Sequence, residues 1–166
     1  MQKDNIGLLF YGSVGSGKSF LASCIANYLI EEKLLSVKMR NFAEIINDLQ
    51  SGGFSLDKNK YIDSITNVPL LILDDLGIER DTSYAKEQVY NVINARYQKQ
   101  KPTIITTNLS FETIENTKEM EYQRIYSRII EMCIPVVVVG QDYRKKIKSH
   151  KIKRHANSLL FGGEER

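Results

Sequence analysis

Gly12-Ser13-Val14-Gly15-Ser16-Gly17-Lys18-Ser19 is the stretch that decides the reading of this chain. It fits the pattern G-x-x-x-x-G-K-[ST], and it lies between the apolar run Leu8 to Tyr11 and a segment of helical period that begins at Lys18. A triphosphate needs several backbone N–H groups converging on its oxygens, and Gly15 and Gly17 permit the positive φ and close approach that side chains obstruct. The dipole of the helix that follows adds to the grip. In this order Lys18 is placed to meet the β and γ phosphates as a point charge, and the Ser19 hydroxyl to ligate Mg²⁺. The expected nucleotide contacts are therefore Gly12, Ser13, Val14, Gly15, Ser16, Gly17, Lys18, Ser19 and Phe20, with ATP or ADP and Mg²⁺ as the cofactors.

Working outward, short apolar runs alternate with longer stretches of helical period, which predicts an α/β fold with a parallel sheet covered by helices on both faces. Strands are expected at Leu8 to Tyr11, Val37 to Asn41, Leu70 to Asp74, Thr103 to Thr107 and Ile134 to Val139. Helices are expected at Lys18 to Glu32, Phe42 to Leu49, Ser83 to Gln100, Ser110 to Ile114 and Glu119 to Met132. In the first of these, Phe20, Leu21, Cys24, Ile25, Tyr28 and Leu29 predict one broad apolar face. Ser51 to Asn59, rich in Gly, Ser and Lys, reads as a loop. No internal repeat or low-complexity segment interrupts the pattern.

The third strand ends Leu73-Asp74-Asp75, an apolar run closing on two carboxylates, as expected of a buried strand whose C-terminal end opens on a site. Asp74 is expected to hold the metal through water, and Asp75 to orient the attacking water as general base. Many domains of this architecture carry Glu at the second position. The shorter Asp75 therefore predicts slow basal turnover. The fourth strand ends Thr106-Thr107-Asn108, which sets the Asn108 amide beside the acids if the two strands adjoin; an asparagine there also serves as an ordinary turn residue. Arg124 and Arg128 are four apart on one helix, hence on one face, and can reach a neighbour's ATP or simply lie on the surface near Glu121 and Glu131. Arg144, after the fifth strand, is a further candidate for the phosphates.

The bulk numbers agree with one globular domain over 1–166: 166 residues, 42% hydrophobic and 26% charged. A net charge of +3 does not by itself demand nucleic acid. Cys24 and Cys133 sit apart in apolar stretches without zinc or redox spacing, so both are expected as reduced core thiols. No apolar run reaches the length of a membrane span and no signal peptide precedes the first strand, which makes the cytoplasm the expected compartment, with no membrane partner. The abrupt start at Met1 leads to the expectation that an upstream domain is absent. From Arg144 a run of lysine and arginine extends to Arg154 within the tail 144–166, suited to phosphate backbones or to solvent alike.

The series of phosphate loop, Leu73-Asp74-Asp75-Leu76-Gly77, Thr106-Thr107-Asn108, Ser127-Arg128 and Asp142-Tyr143-Arg144 resembles the AAA+ ATPase domain of the DnaC/DnaI helicase loaders and the related IstB transposition ATPases. The likeness extends over nearly the whole chain, including Gly7 to Gly12 and Glu79-Arg80. It implies a P-loop NTPase of AAA+ type with strand order 5-1-4-3-2 and no separate lid domain. It implies an ATPase that helps place a hexameric replicative helicase on single-stranded DNA, self-associating through ATP at subunit interfaces. In that family picture Asn108 is the first sensor, Arg128 the arginine finger, and Arg144 resembles the second sensor, while helicase contact belongs to an N-terminal domain, the one expected to be absent here. For single-stranded DNA the second helix and Gly52-Gly53-Phe54 are the expected contacts, although Phe54 suits a packing role equally. Two other functions fit the phosphate loop: a transposition helper acting on duplex DNA, and a small-molecule kinase, for which no substrate lid is found. A nucleotide-binding module that assembles without turnover is the plainest reading.

Overall fold

The computed structural model describes residues 6–53, 56–77 and 82–142. The chain runs β1 (Gly7–Tyr11), α1 (Lys18–Lys33), β2 (Val37–Asn41), α2 (Phe42–Ser51), α3 (Lys58–Thr66), β3 (Leu70–Leu76), α4 (Ser83–Lys99), β4 (Thr103–Thr107), α5 (Phe111–Asn116), α6 (Met120–Met132) and β5 (Cys133–Val137). The five strands form one sheet in the order β2-β3-β4-β1-β5, every pair parallel. Read from the other edge this is 5-1-4-3-2, the order the family resemblance implies.

Alternation along β3 shows how the sheet is covered. Leu71 and Leu73 face a large core built with α2, α3, α4, α5 and α6, whereas Leu70 and Ile72 face a smaller one with α1. Both faces being covered is what lets β3 read as a continuous apolar run. Since sequential strands lie parallel, their C-terminal ends share one rim of the sheet, and β1, β3 and β4 bring the phosphate loop, the acidic pair and Asn108 to that rim.

Five expectations are corrected. The segment Ser51 to Asn59 is not a single loop: α2 continues to Ser51 and α3 begins at Lys58, capped by the Asp57 carboxylate, which accepts from Lys60 N at 3.1 Å. β3 continues past Asp74 to Leu76, and β5 is set one to two residues earlier than expected, pairing Cys133 with Gly7 and Val137 with Tyr11. The broad face of α1 is not the buried one. Ala22 and Ala26 meet the sheet, with Ile25 and Leu29 half-buried beside them, while Phe20, Leu21, Cys24 and Tyr28 are exposed. Small alanines let a helix lie close to the strands, which leaves its bulkier side chains facing outward.

Finally, only Cys133 is a core thiol; Cys24 is on the surface. Cys133 Sγ donates to Thr103 O at 3.6 Å, and burial pushes its pKa up to about 12. Alkylation of the folded chain at neutral pH is therefore expected to modify Cys24 and spare Cys133, with both modified after denaturation; mass spectrometry checks this.

Among the described residues no helix is long and apolar enough to cross a membrane. Phe54, Glu79, Arg80, Tyr143, Arg144 and the basic tail lie outside the described residues.

Candidate active site

The loop between β1 and α1 is shaped by three glycines at positive φ, Gly12 (144°), Gly15 (78°) and Gly17 (100°). Two have a second reason to lack a side chain. A Cβ at Gly12 would run into the Val138 carbonyl oxygen, and one at Gly15 into the Asp142 carboxylate. The segment after β5 thus forms the outer wall of the loop, anchored by Val138 N donating to Tyr11 O at 2.8 Å. At Gly17 nothing of the protein lies within 4 Å of where a Cβ would stand, so the hollow of the loop opens there. Gly15→Ala is expected to cost about 1–2 kcal/mol from the left-handed backbone alone, plus displacement of Asp142. ATP affinity should fall about tenfold or more while the fold persists, as read by equilibrium binding beside circular dichroism.

Helix capping also points to an anion at this loop. The helices α2, α3, α4 and α5 each receive a side-chain cap, from Asn41, Asp57, Thr82 and Ser110. α1, with Gly17 as its N-cap, and α6, with Glu119, have no side-chain cap, but α6 carries Glu121 in its first turn whereas α1 has no acidic residue there. Its first N–H groups are left for an external acceptor. Ser16 Oγ, buried and without a hydrogen-bond partner, adds another donor that the fold leaves unsatisfied.

Lys18 is only 5% exposed. Its Nζ donates to Gly12 O at 2.9 Å, Ser13 O at 2.8 Å and Asn108 Oδ1 at 2.7 Å. The ammonium is therefore held inside the loop, and Asn108 reaches it from the end of β4 because β4 is the neighbour of β1. Across from it, Ser19 Oγ donates to Asp74 Oδ1 at 2.7 Å, and the same oxygen accepts from Thr106 Oγ1 at 2.6 Å. A serine hydroxyl against a carboxylate is an all-oxygen donor pair, the chemistry that suits Mg²⁺. The residues present fit both a triphosphate and its metal.

Asp75 differs from its neighbour in backbone and partners. It sits at φ 60° in an irregularity of the β3–β4 ladder between Leu73 and Leu76. Such left-handed non-glycine residues concentrate at functional sites. Its N–H donates to Thr106 Oγ1 at 3.0 Å, and its Oδ2 accepts from Asn41 Nδ2 at 3.3 Å. Thr106 thus links the two acids and Asn41 directs the second. The sequence assigns no role of their own to Thr106, Asn41 and Asp142; the Thr-Thr-Asn strand end, the strand-terminal Asn41 and the Asp142-Tyr143-Arg144 motif are the available signals.

The structure brings Lys18, Ser19, Asp74, Asp75 and Asn108 together at one rim. Phe20, 75% exposed, points away from the packed interior. Arg124 and Arg128 lie on α6, which packs with α4 on the sheet face opposite α1.

A family model described as IstB-like ATP binding protein matches residues 1–151. Among curated relatives, the replicative helicase loader DnaI of Bacillus subtilis (strain 168) is 27% identical over 148 residues, which are 83% of this chain and 47% of that protein. The chain thus spans about half the length of that relative. A crystal structure of the DnaC helicase loader superposes with a TM-score of 0.68 at 29% identity, covering 82% of this chain and 80% of that one. AMPPCP-bound DnaA from Aquifex aeolicus, 21% identical, shares the fold with a TM-score of 0.66 over 98% of this chain and 48% of its own.

Proposed function

Because the chain belongs to the IstB-like ATP-binding family, we propose that it is the ATP-binding and ATP-hydrolysing domain of a DNA replication helicase loader. ATP binding would switch its hold on single-stranded DNA and its action on a hexameric replicative helicase. The observation that carries this reading is the convergence of Lys18 with Asn108 and of Ser19 with Asp74 at one rim of an AAA+ sheet. Likeness to DnaI and DnaC supplies the replication context.

In this proposal the loop amides of residues 13 to 19 and the Lys18 ammonium grip the phosphates, with Arg144, which follows β5 in the sequence, as a further phosphate contact. Ser19 and Asp74 would hold Mg²⁺, which neutralises charge on the phosphate oxygens when bound. Asp75 accepts a proton from the attacking water as its oxygen bonds to the γ-phosphorus and the bond to the leaving ADP oxygen breaks. Asn108 orients that water and senses the γ-phosphate. Because Asp75 is a methylene shorter than glutamate and is drawn toward Asn41, basal hydrolysis is slow. Arg128, with Arg124 beside it, completes the site of a second copy, so turnover rises on self-association.

The test is the ATPase rate against protein concentration, with and without single-stranded DNA. We expect a rate per chain that climbs with concentration and with DNA; a flat, DNA-indifferent rate contradicts the switch. The resemblance to the IstB transposition ATPases, with the match to an IstB-like ATP-binding family, favours one further reading, a transposition helper acting on duplex DNA. Fluorescence anisotropy separates the two: ATP-dependent preference for single strands supports the loader, and preference for duplex supports the helper.

A further inference from the structure

Arg128 has an environment unlike that of a surface arginine. Its Nε donates to Asn94 Oδ1 at 3.0 Å, Nη2 to Tyr90 OH at 3.1 Å, and Nη1 to Arg124 O at 2.9 Å. Its guanidinium carbon lies 4.8 Å from the centre of the Tyr90 ring and 5.6 Å from that of Tyr97. Tyr97 is itself fixed, its hydroxyl donating to Glu131 Oε1 at 2.7 Å. Tyr90, Asn94 and Tyr97 recur at helical spacing on α4, so they present one face to α6.

The hydrogen-bond acceptors that hold the Arg128 group are a phenol, an amide and a backbone carbonyl, all neutral; among the described residues no carboxylate forms an ion pair with it. A guanidinium has five N–H donors in a rigid fork, and three are engaged here, which leaves two and the full positive charge for an incoming anion. An arginine that served only to join two helices would gain more from a carboxylate than from an amide. Ordering the side chain in advance also removes the rotamer entropy that a loose arginine loses on contact. Arg124 is exposed, its guanidinium carbon 5.1 Å from the Tyr90 ring centre, and it lends its backbone carbonyl to Arg128 without a side-chain hydrogen bond to Tyr90 or Asn94 among the described residues.

We propose that Tyr90 and Asn94 are positioning residues which hold Arg128, its charge uncompensated, for the γ-phosphate bound by a second copy of this chain. This rests on the proposed role of Arg128 in completing a neighbour's site, and it assigns that role to Arg128 rather than Arg124. The clamp belongs to the donor copy: it acts on turnover in the partner's site and leaves the donor's own ATP affinity alone.

The discriminating variant is Asn94→Asp. A carboxylate at this position pairs with Arg128, which preserves or strengthens the α4–α6 junction while cancelling the charge offered to phosphate. We expect thermal stability equal to or above the parent's, unchanged ATP affinity, and kcat at self-associating concentrations lower by about a hundredfold, the scale of a misplaced reacting group. Tyr90→Phe, which keeps the ring and loses the hydroxyl, should lose kcat in the same direction. Mixing either variant with Lys18→Ala, whose clamp is intact but whose own site is empty of its lysine, should restore turnover in composite sites.

Parent turnover in both Asn94→Asp and Tyr90→Phe, alongside a loss in Arg128→Ala, overturns the clamp and leaves the trans arginine standing. Parent turnover in Arg128→Ala itself overturns both. A loss that mixing does not restore shows damage within one chain and also overturns the clamp.

Discussion

Lys18→Ala is expected to abolish tight ATP binding. Truncating one member of a buried, hydrogen-bonded charge contact costs roughly 2–5 kcal/mol, or about 30-fold to several thousand-fold in affinity. The three acceptors now held by the ammonium, Gly12 O, Ser13 O and Asn108 Oδ1, lose that donor as well. Some loss of stability without nucleotide should therefore accompany the loss of binding. Calorimetric titration with ATP, beside thermal melts without it, separates the two effects. Affinity at the parent level in this variant contradicts the placement of the phosphates.

The second large effect is far from the nucleotide. Arg96, in the last turn of α4, is fully buried. Its Nη1 donates at 2.8 Å to both Thr66 O and Val68 O, its Nε to Thr103 Oγ1 at 3.0 Å, and its Nη2 to Pro69 O at 3.4 Å and to Pro102 O. These carbonyls stand just before β3 and β4, at the rim opposite the phosphate loop. Burial lowers the Arg96 pKa to about 10, still far above neutral, so the group stays charged in the folded chain.

Arg96→Met removes five donors' worth of satisfaction from one buried junction. With each orphaned buried group costing about 1–3 kcal/mol and partial repair by water, the expected loss is roughly 3–5 kcal/mol. That is a large share of the about 5–15 kcal/mol by which domains are stable. Urea unfolding measures it, and a loss below the scatter of surface substitutions, about 0.5 kcal/mol, contradicts the assignment. Because the junction lies away from the loop, ATP affinity of the folded fraction should stay at the parent value.

How far the sequence could be read depended on how local the cause was. The phosphate loop was legible because its glycines, lysine and serine are consecutive and each has a chemical reason for its place. The acidic pair and Asn108 were legible because apolar runs end on them. Arg96 was not, although a signal existed: it continues the spacing of Val89, Val92 and Ile93 on the buried face of α4, and Pro69 and Pro102 precede the strands whose carbonyls it binds. A charged residue on an apolar stripe finds its reason only in distant chain segments. α3 escaped for a different cause. It has nine residues, starts Lys58-Asn59-Lys60, and buries only Ile62, Ile65 and Thr66, too short a stripe to outweigh the Gly- and Ser-rich approach.

The face of α1 was misjudged because period alone cannot tell which of two apolar stripes meets the sheet. Close approach selected Ala22 and Ala26 over Phe20 and Tyr28. The backbone of Asp75 was equally invisible, since a left-handed aspartate in a ladder irregularity follows from β3–β4 pairing rather than from its own residue type. Likewise Gly15 announces a flexible position, but the Asp142 carboxylate that closes on it comes from the other end of the described chain.

The most direct test is ATP affinity with Mg²⁺ and with the metal chelated, in the parent and in Asp74→Asn. If Ser19 and Asp74 hold the metal opposite the Lys18 ammonium, Mg²⁺ should tighten ATP binding in the parent, and Asp74→Asn should lose most of that gain while binding metal-free ATP as the parent does. An equal gain from Mg²⁺ in both proteins contradicts the site.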